Sequence, residues 1–294
     1  MAHPAPYLPA GVLEKLGEIT IAGKTLVTKD ATLTPLGIGA YWALAGFLFF
    51  TLAYKLSKYY TPLYFKGYSA MKPAEQRDWD TRLGNIAYSV YIVWWAVRLL
   101  VLDDAFWRPG GGPITKRVSA DSYAALGVSL GFFAMELVPT LKYWMGGSAM
   151  VLHHIGSMTC VATAAIAGDG HALTLWMLST EFTTPFIAAR YMLDKAGLKS
   201  HPLYVVNGLL IVASWTVARM ATFVPFFTTV WGARDTVPLM NPLSQFLLLV
   251  FPATLAVLNT WWYYKIVKGA LKVLGPGGGK KKPAGGSKPA AKTE

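Results

Sequence analysis

The sequence predicts an all-α fold: a polytopic membrane helix bundle of about seven spans, with a luminal N-terminus and a cytosolic C-terminus. Three observations predict it. Of the 294 residues 54% are hydrophobic and only 14% charged, at a mean hydropathy of +0.39; an ordinary soluble domain carries about 25% charged residues. Apolar stretches of about 20 residues, the length a hydrocarbon core of roughly 30 Å requires, recur along the chain. The Lys and Arg residues fall on alternate loops, as the positive-inside rule demands.

Residues 1–34 are polar to mildly amphipathic and read as a luminal arm, with one short helix near Val12–Glu18. No apolar core of signal-peptide type precedes the first span, so that span itself directs insertion. Span one is about Pro35–Tyr54, uncharged throughout; with the basic loop after it, it makes up residues 35–69. Residues 73–85 read as an interfacial helical turn, with Trp79 at headgroup level. Span two is about Asn85–Leu102 and holds Arg98. A Pro/Gly-rich loop leads to span three, about Tyr123–Trp144, with Glu136 and Pro139. The Gly146–Gly147 turn leads to span four, Met150–Ala167, and the Gly168–Gly170 turn to span five, about Ala172–Met192. Span six is about Leu203–Phe227 and span seven about Pro242–Tyr264. The tail over 275–294 is basic, rich in Gly and Pro, and reads as disordered.

Orientation follows from the basic loops. Lys55, Lys58, Lys66, Lys72, Arg77 and Arg82 share one side with Lys142, Arg190, Lys195, Lys199 and the tail. The other side is much poorer, so the rich side is cytosolic. The net charge of +12 is thus topology plus a tail that rests on anionic lipid. Nucleic acid is excluded as a partner because the basic residues form no soluble patch. The single Cys160 excludes an internal disulfide framework and a cysteine-rich metal site.

Ionisable groups at membrane depth carry the functional reading, because each is costly there. His153 and His154 lie about one turn inside the cytosolic end of span four, and Glu136 lies about 12 Å from that end of span three. Glu181 is near the middle of span five and Arg190 near its cytosolic end. Arg98 and Arg219 form a second grouping towards the opposite leaflet, near Asp103 or Asp104. Adjacent histidines stand about 100° apart, so both reach only a broad cavity. Their spacing lacks the i,i+4 pattern of helical metal pairs, and no metal or resident cofactor is expected. Ser157, at i+4, is placed to fix the His153 tautomer. Pro185 removes the hydrogen bond to the Glu181 carbonyl, and Pro139 does the same to Met135. Thr180, Thr183 and Thr184 are placed to satisfy freed backbone groups. Glu181 is either an ion-pair partner locking the bundle or a member of a polar site. His171 and His201 read as ordinary loop residues.

Several motifs, in order, resemble the TLC-domain family, the membrane fold shared with ceramide synthases. They are RDWDTR (77–82), LHHIGS (152–157), STEFTTPFIAARYML (179–193), VNGLLIVASWTVARMATFVP (206–225) and LNTWWYYKIVKGALKVL (258–274). The resemblance covers about residues 70–274 and is nearest to the TLC domain-containing protein 4 subgroup. It implies lipid binding, membrane lipid homeostasis and an endoplasmic reticulum membrane. Membrane lipids are the expected partners, with a homodimer as the candidate assembly. It also implies an alternative, acyl-CoA-dependent N-acyl transfer of ceramide-synthase type. There His153 and His154 would act as base or nucleophile, oriented by Glu136 or Glu181, with acyl-CoA as co-substrate. Arg190, Ser157, Thr184 and Asn207 are then the candidate substrate-binding residues. Ceramide synthases follow the His pair with Asp residues; here no carboxylate follows until Asp169, which favours lipid binding over turnover.

Overall fold

A computed structural model describes residues 18–30, 32–103, 106 and 112–274. The expected helix near Val12–Glu18, Asp104 and the basic tail lie outside them, apart from Glu18. The N-terminal arm, in which no strand was expected, contains a two-stranded antiparallel hairpin, β1 (Ile19–Ile21) and β2 (Lys24–Val27). From the start of β2, Lys24 Nζ donates to the Ile166 carbonyl at 2.8 Å, and so meets an otherwise unpaired acceptor at a helix end.

Helix α1 is Pro35–Tyr64. It starts where Thr34 accepts the Gly37 amide at 3.0 Å and Pro35 occupies the first turn. Helix α2 is Pro73–Val97 and runs into a π-helical turn at Arg98–Leu102. What reads as an interfacial turn before Asn85 is therefore the first part of one continuous helix. Trp79 is buried, stacked on Phe65 at 4.8 Å between ring centres, and is not presented to headgroups. Beside it Asp80 accepts from Tyr68 Oη (2.7 Å) and Ser57 Oγ (3.2 Å), which ties the loop to both helices. Burial and the neighbouring Asp80 carboxylate push the Tyr68 phenol above its ordinary pKa.

Helix α3 (Ala120–Tyr143) is opened by reciprocal Ser119–Ser122 hydrogen bonds and is buried over most of its length. It is the central element, packing most extensively against α1 and then α4 (Gly147–Ala167). Small residues permit the α1 contact: a Cβ at Gly127 would overlap the Gly39 carbonyl, and one at Gly131 the Ala43 carbonyl. Around α3 the aromatic rings of Phe50, Tyr88, Phe132 and Phe133 interlock, with Tyr88 stacked on Phe132 at 3.8 Å.

Span five is broken. Helix α5 (His171–Ser179) gives way to a 3-10 turn at Thr180–Thr183 and then to α6 (Thr184–Lys195). Helix α7 (Pro202–Trp215) continues through a π-helical turn at Thr216–Ala221 into α8 (Phe223–Gly232). Helix α9 runs from Pro242 to Leu274, well past the expected end at Tyr264. Among the described residues six helical segments are long and apolar enough to cross a membrane. The broken α5–α6 path, the expected span five, is not among these six. The architecture is an all-α polytopic membrane bundle.

Candidate functional site

The break in span five sets the site's geometry. Proline at 185 has no N–H to give the Glu181 carbonyl four residues back. That carbonyl accepts instead from the Thr184 amide, three residues on, and the chain tightens into a 3-10 turn. The turn is short because its geometry is poorer than that of an α-helix. It presents the Glu181 side chain to the bundle interior, where Thr184 Oγ1 donates to Oε2 at 2.5 Å.

Opposite it, the π-helical turn of α7 presents Arg219. This guanidinium is almost fully buried, at 5% exposure, and each of its three nitrogens donates a hydrogen bond. Nη2 donates to Glu181 Oε1 at 3.1 Å, Nε to Thr183 Oγ1 at 2.8 Å and Nη1 to Asn259 Oδ1 at 3.4 Å. Trp215 lies against it, 4.9 Å from ring centre to Cζ, and donates its own Nε1 to the Asn259 carbonyl. A buried charge is tolerable only when paired and hydrogen-bonded, as here.

The expected grouping of Arg219 with Arg98 is overturned. Arg98 pairs with Asp121 at 3.3 Å and lies over Trp95, whereas Arg219 belongs with Glu181. Counting straight-helix rise ignored the π turn and the reach of a long cationic side chain. His171 is also corrected. It is fully buried, its Nδ1 2.8 Å from Ser122 Oγ and its Nε2 3.1 Å from the Ala164 carbonyl, and it joins α3, α4 and α5.

A cavity of about 630 Å³ opens above the Glu181–Arg219 pair, towards the end of the bundle that carries the C-terminus of α9. Glu136, His153, His154, Glu181, Thr184 and Arg190 all line it. The size lies within the range of small-molecule pockets. The two imidazoles stand edge to face at 5.6 Å; His153 also faces Trp262 (5.9 Å) and His154 faces Phe133 (6.1 Å). Neither Nδ1 has a hydrogen-bond partner among the described residues. Asn85, with its amide turned to donate, lies 3.3 Å from Glu136 Oε1.

A smaller cavity of about 80 Å³ adjoins the first, sharing Phe133, His153, Glu181 and Arg219 with it. Its wall is mostly apolar, with Cys160, Met177, Phe223, Phe251 and Leu255 among the residues that form it. Ser157 lines this smaller cavity, and the expected tie to the His153 tautomer is absent at Nδ1. Asn207 lines neither cavity; its Nδ2 donates to the Phe186 carbonyl at 2.9 Å and fastens α7 to α6. Sequence reasoning missed Arg82, Arg219, Asn259, Trp262 and Lys265 as members or supports of the site. For Arg219 the signal was present, since a cation at that depth demands a partner.

Fold and site together define a class: a multi-pass helical membrane protein with a charged, histidine-bearing cavity between its helices. The TLC domain profile matches residues 78–268, and the chain belongs to the TLC domain family. It is similar to TLC domain-containing protein 4-B of Danio rerio, 23% identical over 219 residues, covering 71% of this chain and 80% of that one. It is also similar to TLC domain-containing protein 4 of Homo sapiens, 22% identical over 238 residues, covering 78% and 87%.

Proposed function

We propose that the protein binds a membrane lipid within this cavity and contributes in that way to membrane lipid homeostasis, in the endoplasmic reticulum membrane. One observation carries the reading: a cavity of about 630 Å³ with charged groups adjoins a mostly apolar one across the Glu181–Arg219 pair. An amphiphile needs both environments, and the helix bundle supplies them without exposing either end wrongly. The unpartnered Nδ1 atoms of His153 and His154 support it, because buried polar atoms without a partner are uncommon in a site with nothing to bind.

The test is mass spectrometry of the full chain purified in detergent, native and then denatured. A lipid that co-purifies at near-stoichiometric level, and is depleted when the cavity wall is filled by Ala270→Trp, supports the reading. A chain that carries only detergent, in wild type and variant alike, sinks it.

A second reading, acyl transfer from acyl-CoA to a lipid amine, is favoured by one observation: His153, His154, Glu136 and Glu181 line one cavity. An imidazole there would act as base towards the amine or take the acyl group itself. Free CoA released from acyl-CoA and a sphingoid base by wild type, and lost in a His153→Ala, His154→Ala double variant, would establish turnover. No release above background in either would leave lipid binding without turnover.

A further inference from the structure

The cations that line the larger cavity are not alike. Arg82 is neutralised by Asp78, and Arg219 by Glu181. Arg190 and Lys265 take part in no ion pair among the described residues. Each is held over an aromatic ring instead. The Arg190 guanidinium carbon lies 3.4 Å from the centre of Tyr204, and Lys265 Nζ lies 3.2 Å from the centre of Trp261. A ring face attracts a cation without neutralising it. Arg190 also spends only part of its donor fork, giving Nη1 to the Tyr204 carbonyl at 2.5 Å.

Two features make this more than a pair of interfacial side chains. Gly208, on α7, also lines the cavity, and a Cβ there would stand 2.8 Å from Arg190 Nη1. The backbone is thus left bare where the guanidinium lies. On α9, one turn past Lys265, Gly269 and Ala270 line the cavity, and nothing stands within 4 Å of a Cβ built at Gly269. Space is therefore left beside the lysine.

We propose that Arg190 and Lys265 form an anion subsite at the mouth of the cavity, which takes the phosphate of the bound amphiphile. The inference rests on the lipid-binding reading and narrows it to ligands with net negative charge. Guanidinium and phosphate match as fork to paired oxygens, and the ammonium adds a point charge. The chemistry has two sources, a phospholipid headgroup and the phosphates of a soluble thioester carrier such as CoA.

The experiment uses the full chain in detergent, with native mass spectrometry of occupancy. The probes are dioleoyl phosphatidic acid, dioleoyl phosphatidylcholine and free CoA. Wild type is expected to prefer phosphatidic acid over phosphatidylcholine by about tenfold, the worth of one charge-assisted contact. Arg190→Gln and Lys265→Gln should each erase most of that preference. Gly208→Ala should lower it with no change of net charge, by displacing the guanidinium. Lys272→Gln, on the same helix but outside the cavity lining, should leave it intact. CoA that displaces phosphatidic acid from wild type and not from Arg190→Gln identifies the soluble source; phosphatidic acid that CoA leaves in place identifies the lipid. Equal occupancy by the two lipids in wild type overturns the subsite and spares the lipid reading, whereas no occupancy by either overturns both. An equal loss in Arg190→Gln and Lys272→Gln also overturns it, because general surface charge then explains the preference.

Discussion

Arg219 holds the site together from within. It is bonded to Glu181, Thr183 and Asn259, and so joins the 3-10 turn, α7 and α9 through one guanidinium. Replacing it with methionine leaves the Glu181 carboxylate, at 12% side-chain exposure, without its counter-charge. Breaking one side of such a pair costs about 3 kcal/mol, and the effect is large because the remaining charge stays buried. Arg219→Met should therefore lower the detergent unfolding temperature clearly. The double change Arg219→Met with Glu181→Leu should recover much of the loss, since replacing both partners by apolar groups is often near neutral. Thermal unfolding of the three variants side by side checks it; no recovery in the double variant would mean that the pair is not the main term. At this scale the sequence was uneven. That His153, His154, Glu136 and Glu181 lie together was legible, because each stands out on a nearly uninterrupted apolar background, and all four line one cavity. The partner of Arg219 was not, because it is set by how helices distant in sequence are rotated against one another. His171 was misread for a related reason. A Gly-Asp-Gly turn marks a loop, but the residue after it starts α5 and points into α3.

The break in span five is the element that shapes the cavity, and the sequence announces it through Pro185. The proline determines that the Glu181 carbonyl loses its i+4 donor; the Thr184 amide then determines what replaces it. Pro185→Ala restores the donor and should let α5 and α6 fuse into one straight helix. Thr183 and Glu181 would then leave Arg219, with which both are bonded here. The expected outcome is a folded chain of unchanged helix content by circular dichroism, with its retained lipid reduced several-fold. Retention equal to wild type would show that the break does not matter to the site. A second element-level feature is the close approach of α1 and α3. Gly131→Ala sets a methyl against the Ala43 carbonyl and should cost roughly 1–3 kcal/mol by overpacking. A drop in unfolding temperature checks it, with Gly269→Ala, which meets nothing within 4 Å and should not lower that temperature, as the control. Helix existence was legible throughout from apolar runs. Helix ends were less so: α2 starts at Pro73 and α9 runs on to Leu274. Both extensions carry charged residues, which hydropathy counts as loop although helix caps and packing continue through them. The α9 extension is the one that brings Lys265 to the cavity.

For the whole molecule, six helices are long and apolar enough to cross a membrane, and if the broken α5–α6 path crosses as well the number of passages is odd. The hairpin of β1 and β2 and the C-terminal end of α9 then lie at opposite ends of the bundle. The packing agrees: Lys24 in the hairpin bonds the far end of α4 at Ile166, while Lys195, at the end of α6, pairs with Glu75 at the start of α2. If the basic end faces the cytosol, as the positive-inside rule expects, the mouth of the larger cavity opens there. The prediction is read by labelling single cysteines in sealed endoplasmic reticulum vesicles, in a Cys160→Ser background. Lys199→Cys, exposed between α6 and α7, should react with a membrane-impermeant maleimide without detergent. Lys29→Cys, exposed beside the hairpin, should react only after detergent is added. The reverse pattern would turn the bundle over and place the cavity mouth in the lumen. Labelling of both without detergent would remove the odd passage. The α5–α6 path would then have to return to the side it entered from, which its 25 residues in one near-continuous helical run do not favour.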